Sequence, residues 1–264
     1  MVGKKRRKPS KELMGSHQKC WLWGRHAVME TLRAKKWTPV EVFWCSEYLD
    51  LSQQRELKNL VHHQRIPCAE ATPAEMQKFC GSTEHQGLLA KMPVYPYASA
   101  EEVFPRLDSR QVILVLCGIQ DPFNFGSILR SADLFGISTI VVPSSAQASV
   151  SSHVVRSSVG AVNFLDIVQV DDLGETCRVL KDRGFRLLAG SEQGKTAPFE
   201  ADLTLGLALL IGNEGAGVPG HLLHLCDQQI AIPQSGHVGS LNAAVAAGIL
   251  CYEIQRQRQL AGAG

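Results

Sequence analysis

The sequence predicts an α/β protein in two parts: a small α/β unit, then a larger unit built on a mainly parallel sheet. Three observations carry this. From residue 111 onward, short apolar runs such as "QVILVLCGI", "STIVVP", "FRLLAG" and "LALLIG" alternate with helix-period segments. Strands that read as continuous apolar runs are covered on both faces, and parallel strands need helices between them. A stretch with three prolines, "PVYPYASAEEVFPRLDSR", divides this region from an earlier one with its own helices and strands. The length of 264 residues, 45% apolar and 20% charged, suits one large or two modest globular domains. The expected boundaries are a basic disordered tail at 1–20, a small unit at 21–93, a linker at 94–110 and the large unit at 111–264.

In the small unit, "WLWGRHAVMETLRAK" reads as a turn and a short helix with Ala27, Val28 and Leu32 inward, and "VEVFWCS" alternates like a strand. "LSQQRELKNLVHHQRI" is amphipathic, with Leu51, Leu57, Leu60 and Val61 on one side. In "ATPAEMQKFCG", Thr72 suits the N-cap and Pro73 the first helical position. "GLLAKMPVY" is strand-like. In the large unit the apolar strands are spaced by "NFGSILRSADLFG", a turn or more in "SVSSHVVRSSVGA", and "VDDLGETCRVLKDRG" with acids early and bases late, as the helix dipole favours. "GVPGHLLHLC" is a short helix, "QQIAIP" a strand, and "SLNAAVAAGILCYEIQRQRQ" the last helix.

Charge is unevenly spread. Residues 1–20 hold Lys4, Lys5, Arg6, Arg7, Lys8, Lys11 and Lys19 against Glu12, a net of +6 within a total of +2, which leaves the rest of the chain at −4. Such a tail suits either attraction to phosphate backbones or simple solubilisation. The eight cysteines are widely scattered, without CxxC pairs or Cys-His spacing for zinc, and several lie in apolar runs. They read as reduced thiols of a cytoplasmic protein without a structural metal. No apolar run approaches a membrane span, and the basic N-terminus lacks the apolar segment of a secretory signal.

"AGSEQGKT", residues 189–196, fits a relaxed phosphate-loop pattern, but a poor helix former, "APFEADLTLG", follows it. A nucleotide phosphate needs a helix N-terminus there, so a polar turn is the better reading. Three other stretches carry more. In "DPFNFGSILRSADLFG", Asn124 suits a helix cap, Gly126 permits close approach, and Arg130 lies on the helix. "LLIGNEGAGVP" runs from a buried strand into three glycines within six residues, with Glu214 among them. Ligands of open α/β sheets bind beyond strand C-termini such as this one. "IAIPQSGHVGSLN" again runs strand, glycine loop, helix start, and places Ser240 and Asn242 at the positive end of a helix.

In order and approximate spacing these stretches resemble the motifs of the SpoU family of the SPOUT superfamily, the RNA ribose 2′-O-methyltransferases. Asn124, Gly126 and Arg130 resemble its N-x-G-x-x-x-R motif, Gly212 to Gly215 its G-N-E-G motif, and Ile232-Pro233 to Ser240-Leu241-Asn242 its I-P…S-L-N motif. "SSVGA" at 157–161 resembles its S-x-G-A segment. "GRHAVMETL" and "EHQGLLAKM" resemble the L30e-like RNA-binding domain of the large-subunit rRNA guanosine-2′-O-methyltransferase group. Phe123 departs from the family pattern, which often has Arg or a polar residue there.

The resemblance implies a trefoil-knotted domain that binds S-adenosylmethionine, and a homodimer formed through that domain. It implies catalytic roles for Arg130, Asn124, Glu214, Ser240 and Asn242, and a cofactor site at Ile211, Gly212, Asn213, Gly215, Ile232, Ser240 and Leu241. RNA contacts would fall on Arg25, His26, His85, Gln86, Arg130 and Arg156, with rRNA the expected substrate and tRNA the alternative. A non-catalytic RNA-binding or ribosome-assembly factor of the same fold is the rival class, separated by a cofactor-binding assay.

Overall fold

The computed structural model describes residues 12–14, 20–237 and 239–262. They form two compact units, one comprising the residues up to Pro96 together with Val150–Asn163, the other Tyr97–Ser149 with Phe164–Gly264. Most of the basic tail lies outside the described residues. The part that is described is not free: Leu13 bridges to Pro93, and Met14 N–H donates to Met92 O at 3.1 Å.

The first unit comprises β1 (Trp21–Trp23), α1 (Arg25–Ala34), β2 (Glu41–Trp44), α2 (Leu51–Gln64), β3 (Cys68–Glu70), α3 (Pro73–Cys80) and β4 (Leu88–Lys91). Its sheet runs β1-β4-β2-β3, antiparallel except for the parallel β2–β3 pair. The stretch "WLW", read as a turn, is a strand, because all three side chains are buried. Trp21 stacks on Phe79 at 5.2 Å between centroids and meets Phe43 edge-on at 5.8 Å, an aromatic cluster that fixes α3 against the sheet. α2 buries Leu57 and Val61, whereas Leu51, expected inside, is 79% exposed at the first helical position. Thr72 caps α3 through a complete capping box with Glu75, and Pro73 opens the helix.

The second unit begins inside the expected linker. There, α4 (Ala100–Val103) and a 3₁₀ turn bury Val103 and Phe104 in the core of the large sheet, and Ala98 bridges to Val168. The chain continues through β5 (Val112–Cys117), α5 (Pro122–Leu134) and β6 (Thr139–Pro143), makes α6 (Ser152–Ser157) in the first unit, and returns. β7 (Asp166–Val170), α7 (Leu173–Asp182), β8 (Arg186–Gly190), β9 (Leu207–Gly212), α8 (Gly220–Leu223), β10 (Gln228–Ile230) and α9 (Ala243–Leu260) complete it. Every strand pair is parallel, in the order β10-β8-β9-β5-β6-β7. All the C-terminal strand ends therefore lie at one edge, where loops, not core side chains, meet a ligand. No helix among the described residues is long and apolar enough to cross a membrane.

Candidate active site

The site is assembled at that edge of the second unit. A cavity of about 390 Å³ is lined by residues that follow β8 (Gly190, Ser191, Gln193), β9 (Ile211 to Val218) and β10 (Ile232, Gln234), and by the start of α9. The first wall was hidden in the sequence. Its loop carries no ligand motif, and the phosphate-loop reading of it fails: Thr196 pairs with Ile230 at the end of β10 and no helix follows.

The β9 loop is shaped by its glycines. A side chain at Gly212 would put Cβ 2.1 Å from the carbonyl carbon of Gly217, and Gly217 itself has φ +64°. Within the loop, Asn213 Oδ1 accepts from the N–H groups of Gly215 at 3.0 Å and Ala216 at 2.7 Å, so that Asn213 holds the turn closed. Glu214 is thereby carried over the cavity mouth.

The three stretches singled out in the sequence meet here through one chain of hydrogen bonds. Asn124 Nδ2 donates to Glu214 Oε1, and Asn242 Nδ2 donates to Asn124 Oδ1 at 3.0 Å. Asn242 Oδ1 in turn accepts from Ala244 N–H at 2.9 Å and Val245 N–H at 3.3 Å, capping α9. Asn124, expected to cap its own helix, does not do so. Asp121 takes that position and accepts from Phe123 N–H at 3.1 Å, which leaves the Asn124 amide to join the other two loops. Ser240 and Leu241 line the cavity with Ile211, Gly212, Asn213, Gly215 and Ile232, so the seven residues expected to hold a cofactor share one wall system. Arg130 projects from α5 into solvent, and its guanidinium makes no hydrogen bond or ion pair among the described residues.

Arg130 apart, the expected RNA contacts belong to the first unit, and they differ in character. His26 and Gln86 are exposed and Arg25 is half-buried. Arg156 is already engaged: it pairs with Glu84 at 2.8 Å and lies over the Trp23 ring at 5.2 Å. His85 is a correction. It is buried, its Nδ1 accepts from Gly87 N–H at 3.1 Å, and burial pushes its pKa below the ordinary value, so the ring is a neutral internal strut and not a surface for RNA. Among the described residues no cluster of three or more His, Cys, Asp or Glu could hold a metal ion.

Two family models match the chain: the SpoU rRNA methylase family over residues 111–252, and RNA 2′-O ribose methyltransferase substrate binding over residues 21–98. A protein of Staphylococcus aureus (strain COL), assigned to the TrmH family of tRNA/rRNA methyltransferases, is 33% identical over 245 residues, 90% of this chain and 96% of that protein. The crystal structure of AviRb, a SpoU methyltransferase from Streptomyces viridochromogenes in complex with the cofactor AdoMet, aligns at 28% identity over 91% of this chain and 90% of that one, with a TM-score of 0.78. A TrmH/SpoU tRNA-modifying enzyme of A. aeolicus aligns over only 58% of this chain and 78% of its own, at 29% identity and a TM-score of 0.53. With its methylase region matched by the first family model and a relative of this identity aligned along nearly its whole length, the chain belongs to the SpoU rRNA methylase family.

Proposed function

We propose that this protein is an S-adenosylmethionine-dependent RNA ribose 2′-O-methyltransferase that acts as a cytoplasmic homodimer on a guanosine of large-subunit rRNA. The observation that carries the reading is the hydrogen-bonded chain Glu214–Asn124–Asn242, which sets three loops around a cavity at the strand C-termini. The cavity fits the cofactor: its volume of about 390 Å³ lies in the usual range for small-molecule sites, and the absence of a side chain at Gly212 lets the turn fold back on itself to form one wall. AviRb, bound to AdoMet, supports the same ligand here. Support for rRNA over tRNA comes from the first unit, which matches a substrate-binding family model, whereas the tRNA-modifying A. aeolicus enzyme aligns over little more than half of the chain.

S-adenosylmethionine, when bound, supplies a methyl group already activated for nucleophilic attack. The chain therefore has two tasks, alignment and management of one proton. Backbone groups near Ile211, Gly212, Ile232 and Leu241 hold the cofactor, while Asn213 and Gly215 keep the turn in shape. Glu214, Asn124, Ser240 and Asn242 position the RNA and the loops. A guanidinium presents five N–H donors and no acceptor, so the role assigned to Arg130 is that of an anion clamp and not of a base. It grips the phosphate beside the target ribose and stabilises negative charge on the 2′ oxygen as the hydroxyl proton passes to solvent water.

The test is transfer from methyl-labelled S-adenosylmethionine to purified rRNA and tRNA, followed by nucleoside analysis. Label in rRNA, recovered as 2′-O-methylguanosine, is the expected result. Label confined to tRNA would replace the substrate. Failure to bind the cofactor, with no transfer to either RNA, would point to the non-catalytic assembly factor.

A further inference from the structure

We infer that Tyr48 forms, with Arg25, a stacking site for an unpaired base of the RNA substrate on the first unit. This rests on the RNA methyltransferase reading above. Tyr48 is 46% exposed. It follows β2 on a tight turn in which its N–H donates to Cys45 O at 3.2 Å, while Cys45 N–H donates to Gly87 O at 3.0 Å. A side chain at Gly87 would put Cβ 2.3 Å from Tyr48 Cβ, and Gly87 has φ +74°. Only glycine lets β4 enter so close to the tyrosine. The buried His85 packs edge-on against the ring at 5.4 Å between centroids. The face of the ring is thus fixed in advance, with little rotamer freedom left to lose on binding.

The polar partners are fixed as well. Gln86 adopts φ +51°, a conformation that costs energy for a residue with a side chain, and its Oε1 accepts the Arg25 N–H at 3.1 Å. α1 has no side-chain cap from its own Gly24, so Gln86 caps it from a distance. Arg25 Nη1 donates to Gln53 Oε1 at 3.3 Å, and Arg25 has no carboxylate partner among the described residues. His26 is exposed beside it. A rigid π face, an oriented guanidinium without a counter-charge and an exposed histidine match single-stranded RNA, whose bases stack on aromatics and whose phosphates take the cation. A protein partner would call for a broader apolar area or for acids to pair. In this arrangement His85 and Gln53 are positioning residues.

The experiment uses the full chain and three fluorescent probes: a single-stranded oligoribonucleotide, the same strand with abasic sites, and an RNA hairpin duplex. Tyr48→Ala should weaken binding of the single strand by about 5- to 150-fold, the range for one lost base stack, with little change on the abasic strand. Tyr48→Phe should bind as the wild type does, which shows that the ring face and not the hydroxyl or the fold is at work. Arg25→Gln should lower the salt slope of binding by about one. Equal affinity of Tyr48→Ala and wild type for the single strand would overturn the inference, as would an equal loss on the abasic strand or tightest binding to the duplex. Such outcomes with methyl transfer to RNA intact would leave the proposed function standing, whereas absence of transfer in the wild type would remove the proposed function itself.

Discussion

Asn124 carries a donor and an acceptor on one amide, and both ends are committed. A carboxylate can only accept, so the Nδ2 side must face Glu214, and the backbone N–H groups at α9 fix Asn242 in the complementary sense. The polar chain therefore has one self-consistent orientation. Arg130 differs in that its charge faces solvent with no internal role to lose. Arg130→Ala should fold normally, bind S-adenosylmethionine as the wild type does, and lose about 10²-fold or more in transfer rate. Near-normal single-turnover rates would remove Arg130 from the mechanism. His85 makes a prediction about pH. Its pKa in the fold is below the unfolded value because it is buried, so the unfolded chain takes up a proton that the folded chain declines. That stability is present above the unfolded pKa of about 6.5 and is lost as pH falls below it. His85→Asn keeps an acceptor for the Gly87 N–H but cannot titrate, so the fall in Tm between pH 7 and pH 5 should be shallower than in the wild type. Parallel curves would show that His85 contributes nothing to the acid limb.

At the scale of elements, α9 depends on a single residue at its start. Asn242→Ala removes the cap and should cost about 1 kcal/mol, a fall of about 2–4 °C in Tm for a domain of this size. Asn242→Asp retains the acceptor for Ala244 and Val245 but cannot donate to Asn124. It should hold the Tm near wild type while transfer is lost, and thermal melts with matched activity assays would separate the two roles. The large sheet was legible in the sequence because its strands are buried on both faces and read as apolar runs. Thr72 and Pro73 marked α3 for a similar reason, since caps are local chemistry. Elements set by tertiary contacts were not legible. β3 has three exposed residues, "CAE", and exists because β2 supplies a parallel partner. α4 lies in a proline-rich stretch and is held by burial of Val103 and Phe104. In the site, glycine loops after strands pointed to two walls. The third, Gly190 to Gln193, has no local signature and becomes a wall only because β8 lies beside β9. The burial of His85, and a threading such as a knot, equally leave no mark on periodicity.

At the scale of the whole molecule, the charge and the apolar surface each point outward to a partner. Six of the seven bases of the first twenty residues fall within residues 1–11, with no aromatic residue among them, which suits phosphates and not bases. Deleting 1–11 should flatten the salt dependence of RNA binding and leave the modified nucleotide unchanged; a shifted position would mean that the tail reads sequence. The apolar surface lies along the last helix. α9 packs on α5 closely enough that a Cβ at Gly248 would sit 3.4 Å from Ser131 Oγ, and Tyr252 meets Phe135 edge-on at 5.9 Å. Its inner side buries Ala247, Leu250, Cys251 and Ile254. Val245, Ile249 and Tyr252 recur at helical spacing on another side and are 50%, 39% and 54% exposed, and Leu134, next to Phe135, is 64% exposed. Single exposed apolar residues are ordinary, but an ordered stripe of them beside a site is what a second copy of the chain would cover. The expected state is a homodimer with an apolar interface well above the ~1,000 Å² of a stable contact. Val245→Glu or Ile249→Arg should give monomers or insoluble protein, with transfer activity lost alongside. Because Val245 follows the capped turn that holds Asn242, the Ile249 variant, one turn further from the site, is the cleaner test. A soluble Ile249→Arg monomer that keeps full activity would show that each site is complete within one chain. Sedimentation of a monomeric, active wild type at micromolar concentration would show that the stripe serves some other contact.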